Sequence, residues 1–144
     1  MQSLTYGAFM SNGGATRADL HWAFRHPGKA LVMASLLKVA EYQALHAMNS
    51  GQVPGPCHNG ACDAVRHATA SCMWTTVFGA GVARTVGMSH ETAPQQPNEA
   101  VMDRHNNGVG RTMTSWGGGC IGNAISEYNA GNLVVIRAGH LASR

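Results

Sequence analysis

The feature that most constrains this fold is an apolar run with helical period over residues 30–48. Leu31, Met33 with Ala34, Leu37, Ala40, Ala44 with Leu45, and Met48 recur at spacings of three and four, which places them on one stripe of an α-helix. Pro27-Gly28 precedes the run and Asn49-Ser50-Gly51 stops it, as helix starts and stops require. The stripe is most simply a core face. Lys38 and Glu41 interrupt the run near its middle, so it does not read as a membrane span. Other elements must therefore cover it.

Those elements are legible in outline. Residues 1–27 are weakly patterned, with a Ser-Asn-Gly-Gly loop at 11–14. After the turn-rich linker GQVPGPCHNG at 51–60, a second helix is expected from about Ala61 to Phe78, burying Ala61, Val65, Ala68 and Cys72. Gly79 and Gly81 loosen the chain before a short helical piece at 82–88, and the two prolines of TAPQQP at 92–97 make a loop. A third helix is expected from Asn98, a good N-cap, to about Asn106, with Asn107-Gly108 as its stop. WGGGC at 116–120 reads as a glycine hinge, 121–129 as a short helix ended by Gly131, and LVVI at 133–136 as the start of a short two-stranded ribbon. The expected fold is mainly α: a compact helical domain of about four to five helices with a short C-terminal β-ribbon. Residues 1–144 form a single domain, with a loop and long helix in 1–60 and the motif-bearing core in 61–141.

Composition narrows the partners. Charged residues make up 12% of the chain, about half the usual ~25%, so Asn, Gln, Ser, Thr and small residues must cover the surface. The net charge is +3, from scattered rather than clustered basic residues. Nucleic-acid binding wants a stripe or patch of them and is not expected. The spacing of Cys57, Cys62, Cys72 and Cys120 fits no zinc ribbon or finger. It leaves two disulfides or four buried thiols. The N-terminus has no basic region, apolar core or cleavage site of a secretory signal. Work outside the cytoplasm would need another delivery route.

The chemistry is concentrated between Asp63 and Arg111. Asp63, His67 and Ser71 share one face of the second helix at i, i+4 and i+8, with Arg66 alongside. A carboxylate one turn before an imidazole can orient it for acid–base work, and a guanidinium can hold phosphate or carboxylate. His90-Glu91 ends the next helical piece. Glu99, Asp103 and Asn106 form a stripe on the third helix, followed by Asn107 and Arg111. Two carboxylates at helical spacing without a basic partner invite a cation, an arginine or a metal. His67, His90, Glu91 and Asp103 are acceptable ligands for a divalent ion, although no H-E-x-x-H motif is present. A Cys62 or Cys72 nucleophile beside His67 is an alternative. No G-x-S-x-G elbow supports a serine hydrolase, and the helical context of His105-Asn106-Asn107 speaks against an HNH nuclease.

The order Arg66-His67-Ala68, Phe78-Gly79, His90-Glu91, Met102-Asp103, Asn106-Asn107 and Gly110-Arg111 resembles a family of small, uncharacterised bacterial domains found in secreted and toxin-like proteins. The resemblance covers about 61–141. It implies Arg66, His67, His90, Glu91, Asp103, Asn106, Asn107 and Arg111 as functional candidates. The resulting expectation is an antibacterial effector-type hydrolase, secreted or delivered to a target cell's periplasm without a signal peptide. Its catalytic candidates are His67, Asp63, Arg66, His90, Glu91 and Asp103, with Asn106, Asn107 and Arg111 binding substrate. The substrate expected is a phosphoester of an envelope lipid or lipid-linked precursor, and a cognate immunity protein would be its partner. Peptidoglycan hydrolysis, or a non-catalytic module with a buried polar network, are the alternatives.

Overall fold

Small side chains decide how the helices of this chain meet. The computed structural model describes residues 17–90, 96–113 and 119–144. Within them the chain forms α1 (Arg17–Arg25), α2 (Pro27–Asn49), α3 (Ala61–Phe78), α4 (Ala80–His90), α5 (Pro97–Thr112) and α6 (Gly119–Asn129). The strands β1 (Val134–Arg137) and β2 (His140–Ser143) follow. The fold is thus mainly α, with a short C-terminal antiparallel ribbon, as expected.

Helix α3 is the centre. It packs against α2, α4, α5, α6 and β1 and is buried on nearly every side, including Ala61, Ala64, Val65, Ala68, Ala70 and Cys72. A helix surrounded by four others needs short side chains so that backbones can approach. The tightest approach is to α5, where a Cβ on Gly110 would lie 2.3 Å from the Ala68 carbonyl oxygen and 2.8 Å from the Ser71 Cβ. One apolar cluster gathers Val53, Val65, Ala124, Tyr128, Leu133 and Val135 beneath α3. A second joins Met33, Trp74, Ala83 and Val86, with the Trp74 indole N–H donating to the Met33 carbonyl at 3.1 Å so that its polar atom is satisfied.

The ribbon pairs Val134 with Ser143 and Arg137 with His140. Ala138 and Gly139 turn it with φ of 49° and 79°, the left-handed pair that a two-residue hairpin loop of matching twist requires. Helix α5 grips this ribbon. Asn98 Nδ2 donates to the Gly139 carbonyl, His105 Nε2 to the Asn132 carbonyl and Asn106 Nδ2 to the Val134 carbonyl, each at 2.8 Å.

Several details differ from the sequence reading. Helix α1 forms in a stretch whose weak pattern assigns no element, and the expected Ser-Asn-Gly-Gly loop lies outside the described residues; the partly buried Trp22 of α1 packs against the second cluster, so tertiary contact supplies what local pattern does not. Helix α5 starts at Pro97, with Gln96 as N-cap, and continues through Asn107-Gly108 to Thr112. Those asparagines do not end the helix because their side chains bond to β1 and α3 instead of to the local backbone. Helix α2 buries most of the expected stripe. Met33, Ala34, Ala40 and Ala44 are buried together with Ala30 and Ala47, and Leu37 and Met48 pack partly buried against the cores, while Leu31 and Leu45 are exposed at its edges. The glycine hinge up to residue 118 and most of the TAPQQP loop lie outside the described residues.

All four cysteines are bridged, Cys57 to Cys62 and Cys72 to Cys120. This removes a thiol nucleophile from Cys62 and Cys72 and fits an oxidising compartment such as the periplasm or cell exterior. Among the described residues, no helix is long and apolar enough to cross a membrane.

Two predictions follow from this packing. Gly110→Ala gains about 1 kcal/mol of helix propensity but overpacks a backbone contact, which costs roughly 1–3 kcal/mol or more. A lowered urea midpoint is expected, whereas Gly108→Ala, which meets only the Arg111 Nη2 at 3.6 Å, should raise it. The Cys72–Cys120 bridge spans a sequence separation of 48; for such a loop the chain-entropy contribution is about 4 kcal/mol. The Cys72→Ala/Cys120→Ala double variant should lose stability of that order in equilibrium unfolding.

Candidate functional site

The crossing of α3 and α5 brings five polar side chains together. From α3 come Asp63, in its first turn, then Arg66 and His67 one turn later. From α5 come Asp103 and Asn107, also one turn apart. Because Gly110 lets the two backbones meet one turn further on, the short Asp103 and Asn107 side chains reach His67.

Asp63 is almost fully buried, at 3% exposure. Its Oδ2 accepts from the backbone N–H of Asn59 at 2.6 Å, just ahead of the N-cap Gly60, and its Oδ1 accepts from Arg66 Nη2. The carboxylate thus satisfies a donor at the helix start and sits at the positive end of the helix dipole. Asn59 is held by more than Asp63. Its Nδ2 donates to Glu99 Oε1 at 2.7 Å, its carbonyl accepts from Ile136 N–H at 2.8 Å, and the Cys57–Cys62 bridge closes the loop around it.

His67 lies at the middle. Its Nε2 is 3.2 Å from Asp103 Oδ1 and 3.4 Å from Asp63 Oδ1, and 3.3 Å from Arg66 Nη2. Its Nδ1 faces Asn107 Oδ1 at 3.3 Å. Nε2 therefore has both kinds of partner. Protonated, it donates to a carboxylate; unprotonated, it accepts from the guanidinium. The His67 side chain is 14% exposed, against 4% for the Asp63 side chain and 11% for that of Asp103. One donor atom each from Asp63, His67 and Asp103 lie within 4.8 Å of one another, a set that can hold a divalent ion.

The structure thus brings together Asp63, Arg66, His67, Asp103 and Asn107. It turns Asn106 the other way, onto β1, where its amide pairs with both the N–H and the carbonyl of Val134. Arg66 is turned onto Asp63 and His67 rather than outward. Arg111 stands one turn beyond Asn107, half-buried; burial first, and then the neighbouring Arg84 charge, lower its guanidinium pKa. His90 closes α4, but its side chain and all of Glu91 lie outside the described residues. Asn59 and Glu99 belong to the surround. Sequence reading noted Glu99 for its stripe with Asp103 but passed over Asn59, whose left-handed φ of 62° is a conformation Asn tolerates. The hollow lined by Arg17, Leu20, His21, Phe24 and Arg25 involves none of these residues.

Asp63→Asn should be costly, because it removes the carboxylate charge directly bonded to the buried Arg66, at roughly 3–5 kcal/mol. Denaturant unfolding should show that loss, and Asp63→Asn/Arg66→Met should recover at least half of it.

Residues 20–125 match the model of a family described as a domain of unknown function (DUF6973), and the chain belongs to that family. The match reaches back across α1 and α2, beyond the motif-bearing stretch, and stops short of the ribbon. No solved structure matches the chain.

Proposed function

We propose that this DUF6973-family chain is a hydrolase in which His67 is the acid–base group and Asp63 and Asp103 orient it. The observation that carries this reading is the surround of Nε2. A proton arriving there finds the Asp103 and Asp63 carboxylates, and a proton leaving uncovers an acceptor for Arg66. Both states are satisfied by partners already in place, so a proton can be exchanged with little reorganisation. Asn107 fixes the ring from the other side.

The substrate class proposed is a phosphoester of an envelope lipid or lipid-linked precursor. With Arg66 committed to Asp63, Arg111 on the same side of α5 is the group to receive an anionic oxygen. The two disulfides support action in an oxidising compartment. The antibacterial effector role, with a cognate immunity protein, is supported by the resemblance of the motif order to toxin-associated domains. A divalent ion on Asp63, His67 and Asp103 would take up the Nε2 lone pair and supply a Lewis acid in place of proton transfer by His67.

A second reading is favoured by one observation: Asp63, Arg66, Asp103 and Asn107 are all buried and pair within the cluster. They would then be a structural network that locks α3 to α5.

The test uses His67→Gln and Asp103→Asn on phospholipid vesicles, a lipid-linked precursor and peptidoglycan. The hydrolase reading expects phosphoester turnover by the wild-type chain and a loss of about a hundredfold or more in both variants, with melting temperatures largely kept. Loss on chelation and return with zinc or manganese would identify the metal-assisted form. Muropeptide release in place of phosphoester cleavage would move the substrate to the cell wall. No turnover of any substrate, with large falls in melting temperature for both variants, would establish the network reading instead.

A further inference from the structure

Helix α2 buries its alanines and Met33 and presents five of its larger apolar side chains outward. Among the described residues, seven of the eleven exposed large apolar side chains lie on α1 and α2. On α2 they are Leu31, Val32, Val39, Tyr42 and Leu45. Their spacing places them within one broad arc of the helix, which the exposed Ser35 and Lys38 share. On α1 they are Leu20 and Phe24, one turn apart, with Phe24 89% exposed and Tyr42 on α2 71% exposed. Exposed apolar side chains gathered on two consecutive helices in this way mark a site of association.

The charges around it say with what. Arg17, Arg25 and Lys29 are exposed, while Lys38 is neutralised by Glu41 at 2.9 Å. The other carboxylate of these two helices, Asp19, is buried at 3%. The outward charge is therefore positive. Arg17 and Arg25 also flank Leu20, His21 and Phe24 around an open hollow of about 430 Å³, so cationic and apolar groups line the same concavity. A second copy of the chain, meeting this patch with its own, would set cation against cation. An anionic bilayer offers both complements at once, hydrocarbon for Phe24, Tyr42 and Leu45 and phosphates for the cations.

We propose that the α1–α2 face is a peripheral docking surface for anionic lipid bilayers, on which the chain lies without spanning. The proposal does not rest on the chemistry of His67. A His67→Gln chain without turnover still binds, and a chain that fails to bind can still hydrolyse a soluble phosphoester.

The experiment is co-sedimentation of the full chain with phosphatidylcholine vesicles, with and without phosphatidylglycerol, at low and high salt. Binding is expected only with phosphatidylglycerol, and it should weaken with salt. Arg17→Glu/Arg25→Glu should reduce partitioning more than tenfold, since each surface cation contributes about fivefold. Phe24→Ser/Tyr42→Ser should do likewise. Circular dichroism is expected to show both variants folded, because these side chains are exposed. Wild-type chain that stays in the supernatant overturns the proposal, as does unchanged binding by both variants. A dimer in light scattering that Phe24→Ser/Tyr42→Ser dissociates overturns it in favour of a second copy.

Discussion

The contact between the α5 backbone at Gly110 and the α3 backbone at Ala68 is the constraint from which the rest of the site follows. It sets the distance between two helices that carry, one turn earlier, the residues of the polar cluster. Asp103 and Asn107 are short, and neither could reach His67 across a helix pair held apart by ordinary side chains. The alanines of α3 serve the same end on its other sides, letting α2, α4 and α6 close around a helix that has almost no free surface.

Burial changes what those polar groups do. At the surface, Asp63 and Arg66 would form an ion pair of little consequence. Within the crossing, each supplies the other with the compensation that water supplies at the surface. His67 is the partly open member, and it sits where opposite charges meet. The same arrangement stiffens the junction and leaves one ring nitrogen able to carry a proton or give it up. The rigidity of the junction and the proposed reactivity would share the same atoms, and for this reason activity and melting temperature must be read together.

Much of this was legible in the chain. The limits of α3 could be read from Gly60 and Gly79, and Asp63 with His67 from their helical spacing. The inward side of α2 was legible in Met33, Ala34, Ala40 and Ala44, but its edges at Leu31 and Leu45 were not, because apolar residues occupy most of the circumference and periodicity does not say where the covered arc ends. The length of α5 was hidden for a different reason. Asn-Gly is a stop signal only while the asparagine is free to bond its own backbone, and here Asn106 and Asn107 are engaged by distant partners. That engagement also separates two candidates adjacent in sequence, since successive helix positions point about 100° apart. One faces His67 and the other faces β1.

The ribbon lies past residue 125, where the family match ends, yet Ile136 bonds the carbonyl of Asn59 and Val134 occupies the amide of Asn106. Kinship and hydrogen bonding thus draw two different outlines of this domain. The smaller one holds every residue of the cluster but not the strand that braces the loop leading into Asp63. A chain cut to that outline would retain the polar cluster on paper and lose the buttress behind it.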